Sequence, residues 1–147
     1  MARPRLAVRA AILRDDRLLM VNAYPPDYES ELWCLPGGGA EPGQSLPENL
    51  EREVWEETGL RIRVGAIILV NEFRDSDKGF HQVDLIHRAT LTDGHEIVLD
   101  DPEGVVNRAR WVTKAELAKL HHRPRLLSRA VWGQHAAWYD PMEEILW

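Results

Sequence analysis

The chain has 147 residues, 44% of them hydrophobic and 29% charged, with 10 Gly and 9 Pro. That length encloses one core but not two ordinary ones, so a single domain over residues 1–147 is expected, and the composition excludes a disordered, collagen-like or membrane-embedded chain. Twenty-four acidic against 18 basic residues leave a formal net charge of -6. This argues against a nucleic-acid polymer or an anionic membrane as partner, while a small anionic substrate stays compatible if metal ions or local arginines offset the repulsion.

Cys34 is the only cysteine, which leaves neither an intramolecular disulfide nor a zinc pair, and its place between Trp33 and Leu35 predicts buried packing. No apolar run reaches membrane-spanning length, and the first residues carry too many arginines for a secretory segment, so a cytoplasmic protein is expected. Leu6 to Leu13 and Leu18 to Ala23 are apolar-rich around Arg14-Asp15-Asp16-Arg17, which predicts a hairpin. A loop with Pro25-Pro26 follows, then a short strand over Leu32 to Leu35, ended by a Pro36-Gly37-Gly38-Gly39 loop.

Ser45-Leu46-Pro47-Glu48 has the spacing of a capping box, and Leu46, Leu50 and Val54 recur every four residues until Thr58-Gly59, which predicts one helix. Arg61 to Phe73 and Phe80 to Leu91 read as paired central strands, with a turn from Arg74 to Gly79. Thr92 to Asn107 reads mostly as loop, with one short strand at Ile97 to Leu99, before a strand over Ala109 to Val112. Thr113-Lys114-Ala115-Glu116 repeats the capping pattern, and a last helix is predicted from Leu126 to Tyr139. The order of strands, helix, strands and helices predicts an α/β fold with a mixed sheet covered on both faces.

The chemistry concentrates between Glu41 and Glu57, where six glutamates stand with one basic residue, Arg52. On a helix Glu53, Glu56 and Glu57 occupy positions i, i+3 and i+4, so three carboxylates share one side. Like charges so close call for a compensating cation, and oxygen donors without Cys or His favour Mg²⁺ or Mn²⁺ over zinc. The glycine stretch just before the helix leaves backbone groups free to face a metal or phosphate, which points to phosphate or pyrophosphate chemistry. The competing reading is a solvated acidic helix face steadied by an Arg52–Glu56 pair.

The segment Gly38-x5-Gln44-x7-Arg52-Glu53-Val54-x-Glu56-Glu57-x-Gly59-Leu60 resembles the Nudix box of the MutT-like hydrolases, with Gln44 where the family has its first glutamate. The strand order is also similar to that family's α/β/α sandwich. The resemblance implies a Mg²⁺-dependent pyrophosphohydrolase acting on a nucleoside diphosphate linked to another moiety. It implies metal binding by Glu53, Glu56 and Glu57, completed by a carbonyl of Gly37 or Gly38, with Gly37, Gly38 and Gly39 lining the substrate site and Arg52 orienting a glutamate. The base for water is Glu53, Glu57 or an acid of the later loop, where Asp100, Asp101 and Glu103 stand and Glu103 is the best placed further metal ligand. Gln44 keeps hydrogen-bonding capacity without charge, so a nucleotide-binding module with weakened hydrolysis is the alternative.

Trp111, in Trp111-Val112-Thr113, is similar to a late strand of many family members and is expected to pack, with base stacking as the other use. Trp33, Tyr24 and Tyr28 divide between packing and a nucleobase pocket. His81 and His87 are expected to be structural or substrate-contacting rather than metal ligands, and His121-His122 to lie at a helix terminus. Trp132, Trp138 and Trp147 gather near the C-terminus, where they serve monomer packing or the interface of a homodimer.

Overall fold

The computed structural model describes residues 3–23, 30–94, 96–99, 106–133 and 137–147. The hairpin forms as its pattern predicts: β1 (Arg5–Arg14) and β2 (Arg17–Ala23) pair antiparallel around Asp15 and Asp16. Both aspartates have positive φ, 50° and 60°, the geometry of a tight turn matched to strand twist and tolerated by Asp. A short β3 (Trp33–Cys34) adds to β2.

Gly37–Gly39 departs from its predicted loop character. It is a strand, β4, paired antiparallel with β1 through Ala7–Gly39, Val8–Gly38 and Arg9–Gly37. The glycines let its backbone close onto β1: a side chain at Gly37, where φ is +150°, would strike the Val8 carbonyl. Helix α1 (Leu46–Thr58) then starts at a full capping box between Ser45 and Glu48 and stops at Gly59 in the left-handed region, with Gly59 N–H donating to the Trp55 carbonyl at 2.8 Å.

The long antiparallel pair β5 (Ile62–Asp75) and β6 (Phe80–Leu91) forms the centre, and β6 lies parallel to β1. Strand β7 (Val106–Val112) returns to β2, followed by α2 (Lys114–Lys119), whose Thr113–Glu116 capping box is also complete, and α3 (Leu127–Trp132). Ile97 to Leu99 forms no strand; Val98 N–H instead donates to the Thr58 carbonyl at 2.8 Å, tying that segment to the end of α1.

The last predicted helix is corrected. α3 ends at Trp132, and Trp138–Glu144 is an edge strand, β8, parallel to β5. α3 stops at Gly133, whose N–H caps the helix on the Arg129 carbonyl, and Pro141 further on is tolerated because β8 is an edge strand. The resulting mixed sheet runs β3-β2-β1-β6-β5-β8, with β4 on β1 and β7 on β2.

Two cores sandwich this sheet. On one face Leu50 and Val54 of α1 pack on Val8, Ala10, Ile12, Ile62 and Ala89. On the other, Leu117 of α2 and Leu127 and Val131 of α3 pack on Ala11, Leu69 and Ile86. Among the described residues no helix is long and apolar enough to cross a membrane.

Candidate active site

The site is built where α1 crosses β4. Ser45 and Pro47 start the helix, and Leu50 and Val54 turn its apolar stripe to the sheet, which brings Glu53 and Glu57 inward beside that stripe. Glu57 is only 6% exposed, and the side chains of Glu53 and Glu56 are progressively more open, at 18% and 40%. The predicted trio therefore does share one side, graded from buried to solvent-facing.

Gly38 decides how close the helix lies. A Cβ there would stand 2.5 Å from both Cδ and Oε2 of Glu53, so the Glu53 carboxylate rests in the space that glycine alone leaves open. Asn49 fixes the same contact from the helix side. Its Nδ2 donates to the Gly39 carbonyl at 3.0 Å and its Oδ1 accepts from the Glu41 N–H at 2.9 Å. Sequence reasoning passed over Asn49; its position one helical turn before Glu53, inside the acidic run, is the signal that would have found it.

Arg52 occupies the middle of the acidic cluster. Its guanidinium donates to Glu56 Oε2 at 3.1 Å and Glu53 Oε1 at 3.4 Å, lies 3.5 Å from Glu41 Oε1, and its Nε donates to Gln44 Oε1 at 3.1 Å. Partial burial works against its charge, but the hydrogen bond to Glu56 and the fields of Glu53 and Glu41 more than offset this and hold Arg52 above its ordinary pKa. Gln44 thus fills a hydrogen-bonding place at the clamp without adding a negative charge.

Behind β4, on the other face of the sheet, Arg9 stands opposite Gly37 in register. Burial opposes its charge, yet Asp84 above all, with Cys34, Glu57 and Glu53, holds the guanidinium above its ordinary value. Arg9 Nε lies 3.6 Å from Asp84 Oδ2, so this cation is committed to the sheet interior while the glutamates lie within its field.

The donor chemistry at this spot suits a hard divalent cation: carboxylates from Glu53, Glu56 and Glu57 and strand carbonyls at the Cβ-free cradle. Among the described residues no three His, Cys, Asp or Glu side chains already enclose an ion-sized space. The reason is visible in Arg52, which draws Glu53 and Glu56 around a guanidinium that acts as their counter-cation. Glu103, with Asp100 and Asp101, lies outside the described residues, as do Tyr24 and Tyr28.

The remaining aromatic and imidazole residues sort by their contacts. Trp111 is half-buried against the α1-side core, with the Arg14 guanidinium 4.6 Å from its ring centre, and Trp33 is buried in the opposite core. His87 Nδ1 meets the Gly65 carbonyl at 3.1 Å, His121 Nε2 meets the Leu146 carbonyl at 2.8 Å and His122 Nδ1 the Leu120 carbonyl at 2.8 Å. These three are structural contacts, whereas His81 pairs with Glu72 on the sheet.

A family model described as NUDIX domain matches residues 3–131. YjhB of Bacillus subtilis (strain 168) is 31% identical over 94 residues, covering 62% of this chain and 43% of the relative. An ADP-ribose pyrophosphatase of Methanocaldococcus jannaschii is 27% identical over 123 residues, covering 84% of this chain and 66% of the relative. The chain thus spans less than two thirds of the length of either. A solved NUDIX hydrolase from Nitrosomonas europaea superposes with a TM-score of 0.73 at 23% identity, covering 88% of this chain and 86% of that one, which is a likeness of fold.

Proposed function

The chain belongs to the NUDIX family, and from that premise we propose that it hydrolyses the pyrophosphate bond of a small nucleotide-type substrate, a nucleoside diphosphate linked to another moiety. The observation that carries this reading is the seat of the Glu53 carboxylate on Gly38, beside Glu57 and under the Arg52 clamp. ADP-ribose, the substrate class in the name of the Methanocaldococcus relative, is the first candidate.

In this reading Glu53, Glu56 and Glu57 hold Mg²⁺ or Mn²⁺, with a carbonyl of Gly37 or Gly38 and an acid of the later loop, Glu103 foremost, completing the set. The cation supplies Lewis-acid polarisation of phosphoryl oxygens and lowers the pKa of water. Arg52 is a positioning residue: its fork fixes Glu56 and Glu53 through charge-assisted hydrogen bonds. The Glu53 carboxylate takes the proton of the attacking water, since it is the least screened of the two inward glutamates and Gly38 holds it in place. The Gly37–Gly39 strand forms the floor against which the phosphates lie.

The test is turnover of ADP-ribose, nucleotide sugars, nucleoside triphosphates and dinucleoside polyphosphates with Mg²⁺, repeated for Glu57→Gln. Loss of one carboxylate charge should lower kcat by at least about 100-fold, on the scale of losing a group that stabilises the transition state. Turnover equal to the parent's sinks the assignment.

The neutral Gln44 favours one second reading, a nucleotide-binding module with weakened hydrolysis. Because Gln44 already accepts from Arg52 Nε, we expect Gln44→Glu to change kcat by less than about threefold, well under 1 kcal/mol of barrier. A steep gain from a near-zero baseline would favour the binding module instead.

A further inference from the structure

Arg52 holds Glu53 and Glu56, the same carboxylates that the reading above gives to a divalent cation. A cation that draws on them has to displace the guanidinium. The Arg52 side chain is only 27% exposed, so its charge is costly there unless another acceptor takes over. The site therefore needs a second anchorage for this arginine.

The geometry supplies one. Nη1 is committed to Glu56 Oε2 at 3.1 Å and Nε to Gln44 Oε1 at 3.1 Å. Nη2 is divided: it stands 3.4 Å from Glu53 Oε1, 3.5 Å from Asn49 Oδ1 and 3.5 Å from Glu41 Oε1, each longer than a firm charge-assisted bond. A nitrogen shared so evenly passes from Glu53 to Glu41 with a small rotation of the guanidinium. Asn49, fully buried, holds Glu41 ready for this. It accepts from the Glu41 N–H at 2.9 Å and donates to the Gly39 carbonyl at 3.0 Å, which pins the Glu41 backbone beside the end of β4. The Glu41 side chain itself is 62% exposed, so it is free to follow the guanidinium, and its field is among those that keep Arg52 protonated.

Nε and Nη2 form one edge of the guanidinium, the edge that a single carboxylate meets with both oxygens. Here that edge meets two residues, a neutral oxygen from Gln44 and a charged one from Glu41. The negative charge that position 44 lacks stands three residues earlier in the chain.

We propose that Glu41 is a positioning residue: it takes Arg52 Nη2 from Glu53 when a divalent cation enters, and so frees the Glu53 carboxylate. Glu41 and Gln44 together then do the work of one carboxylate, and Glu41 acts only through Arg52. The proposal rests on the cation site of the hydrolytic reading.

The experiment titrates Mn²⁺ into the full chain by calorimetry, without substrate, with thermal melting to confirm folding. The proteins compared are the parent, Glu41→Gln, Arg52→Ala, Glu41→Gln combined with Arg52→Ala, and Glu41→Gln combined with Gln44→Glu. Glu41→Gln should weaken Mn²⁺ binding about fivefold, the scale of one exposed ion pair. Adding Gln44→Glu, which offers both oxygens to the same edge of Arg52, should restore the parent affinity to within about twofold. In the Arg52→Ala background, Glu41→Gln should leave the affinity unchanged, because the group it acts through is gone. Equal Mn²⁺ affinity in the parent and Glu41→Gln overturns the proposal, as does a loss that persists without Arg52 or that Gln44→Glu leaves in place. In those cases the hydrolytic reading stands if the parent turns over ADP-ribose. A parent that binds Mn²⁺ but hydrolyses nothing sinks that reading alone, and the affinities still decide the proposal. A parent that binds no Mn²⁺ sinks both.

Discussion

Gly38 shows how little space separates a working carboxylate from a displaced one. Adding a single Cβ would place carbon 2.5 Å from the Glu53 carboxyl group, so one of the two must move. Glu53 is the flexible partner, whereas β4 is pinned to β1 through Val8. Gly38→Ala should therefore lower kcat/KM by at least about 100-fold, since small misplacements of catalytic groups have that scale. The melting temperature should fall by no more than a few degrees, because the lost contact is at a partly open carboxylate rather than in the core. Full activity in a folded Gly38→Ala protein would show that Glu53 works from elsewhere. Arg52 belongs to the same scale: one guanidinium spans Gln44, Glu41, Glu53 and Glu56, so repulsion among the acids is met locally.

Among the elements, α1 carries the chemistry and owes its start to a few groups. Ser45 accepts from the Glu48 N–H at 3.2 Å and Glu48 Oε2 accepts from the Ser45 N–H at 3.4 Å. Ser45→Ala removes half of this box and should lower stability by about 1 kcal/mol. For a domain of this size that corresponds to a drop of about 2–4 °C in Tm, readable by calorimetry. The helix, both hairpin strands, the β5–β6 pair and the second capping box were legible because each rests on local spacing. The glycine strand and β8 were not. Three glycines carry no strand periodicity, and β4 exists only because β1 offers it a ladder. In β8, Trp138 to Glu144 has no alternation of apolar and polar residue types, although the folded strand alternates inward and outward positions apart from one slip at Pro141 and Met142, so its pairing with β5 supplies what its own sequence lacks.

For the molecule as a whole, charge is buried where strands meet on the face opposite α1. Asp84, 2% exposed, accepts from Gln82 Nε2 at 2.6 Å and from Arg123 at 3.3 Å, and sits beside Arg9. This ties β1, β6 and the segment before α3 together. Asp140 of β8 is fully buried in the same cross-strand row, on the far side of Asn71, whose Nδ2 donates to its Oδ2 at 3.2 Å. Burial pushes its carboxyl above the usual range, with Arg125 and Asn71 only partly opposing this. The folded protein then holds the Asp140 proton more tightly than the unfolded chain does. Its contribution to stability is full below the ordinary carboxylate range and is lost as pH rises through the raised value.

Asp140→Asn removes that loss and also offers an N–H to Asn71 Oδ1. The variant should melt about 2–4 °C above the parent near pH 8, for about 1 kcal/mol. The difference should shrink as the pH is lowered through the raised value, where Asp140 takes up its proton. A constant offset across that pH range would mean that the charge of Asp140 costs the fold nothing.

The sequence alone determined the chemistry available to this protein: the i, i+3, i+4 glutamates, the arginine among them, the glycines before them and the caps around them are local patterns, and local patterns survive reading in one dimension. Tertiary structure alone decided which groups meet. Asn49 reaches Gly39 and Glu53 rests on Gly38 because a sheet aligns residues far apart in the chain by register, and register is set by burial over the whole molecule rather than by neighbours in sequence.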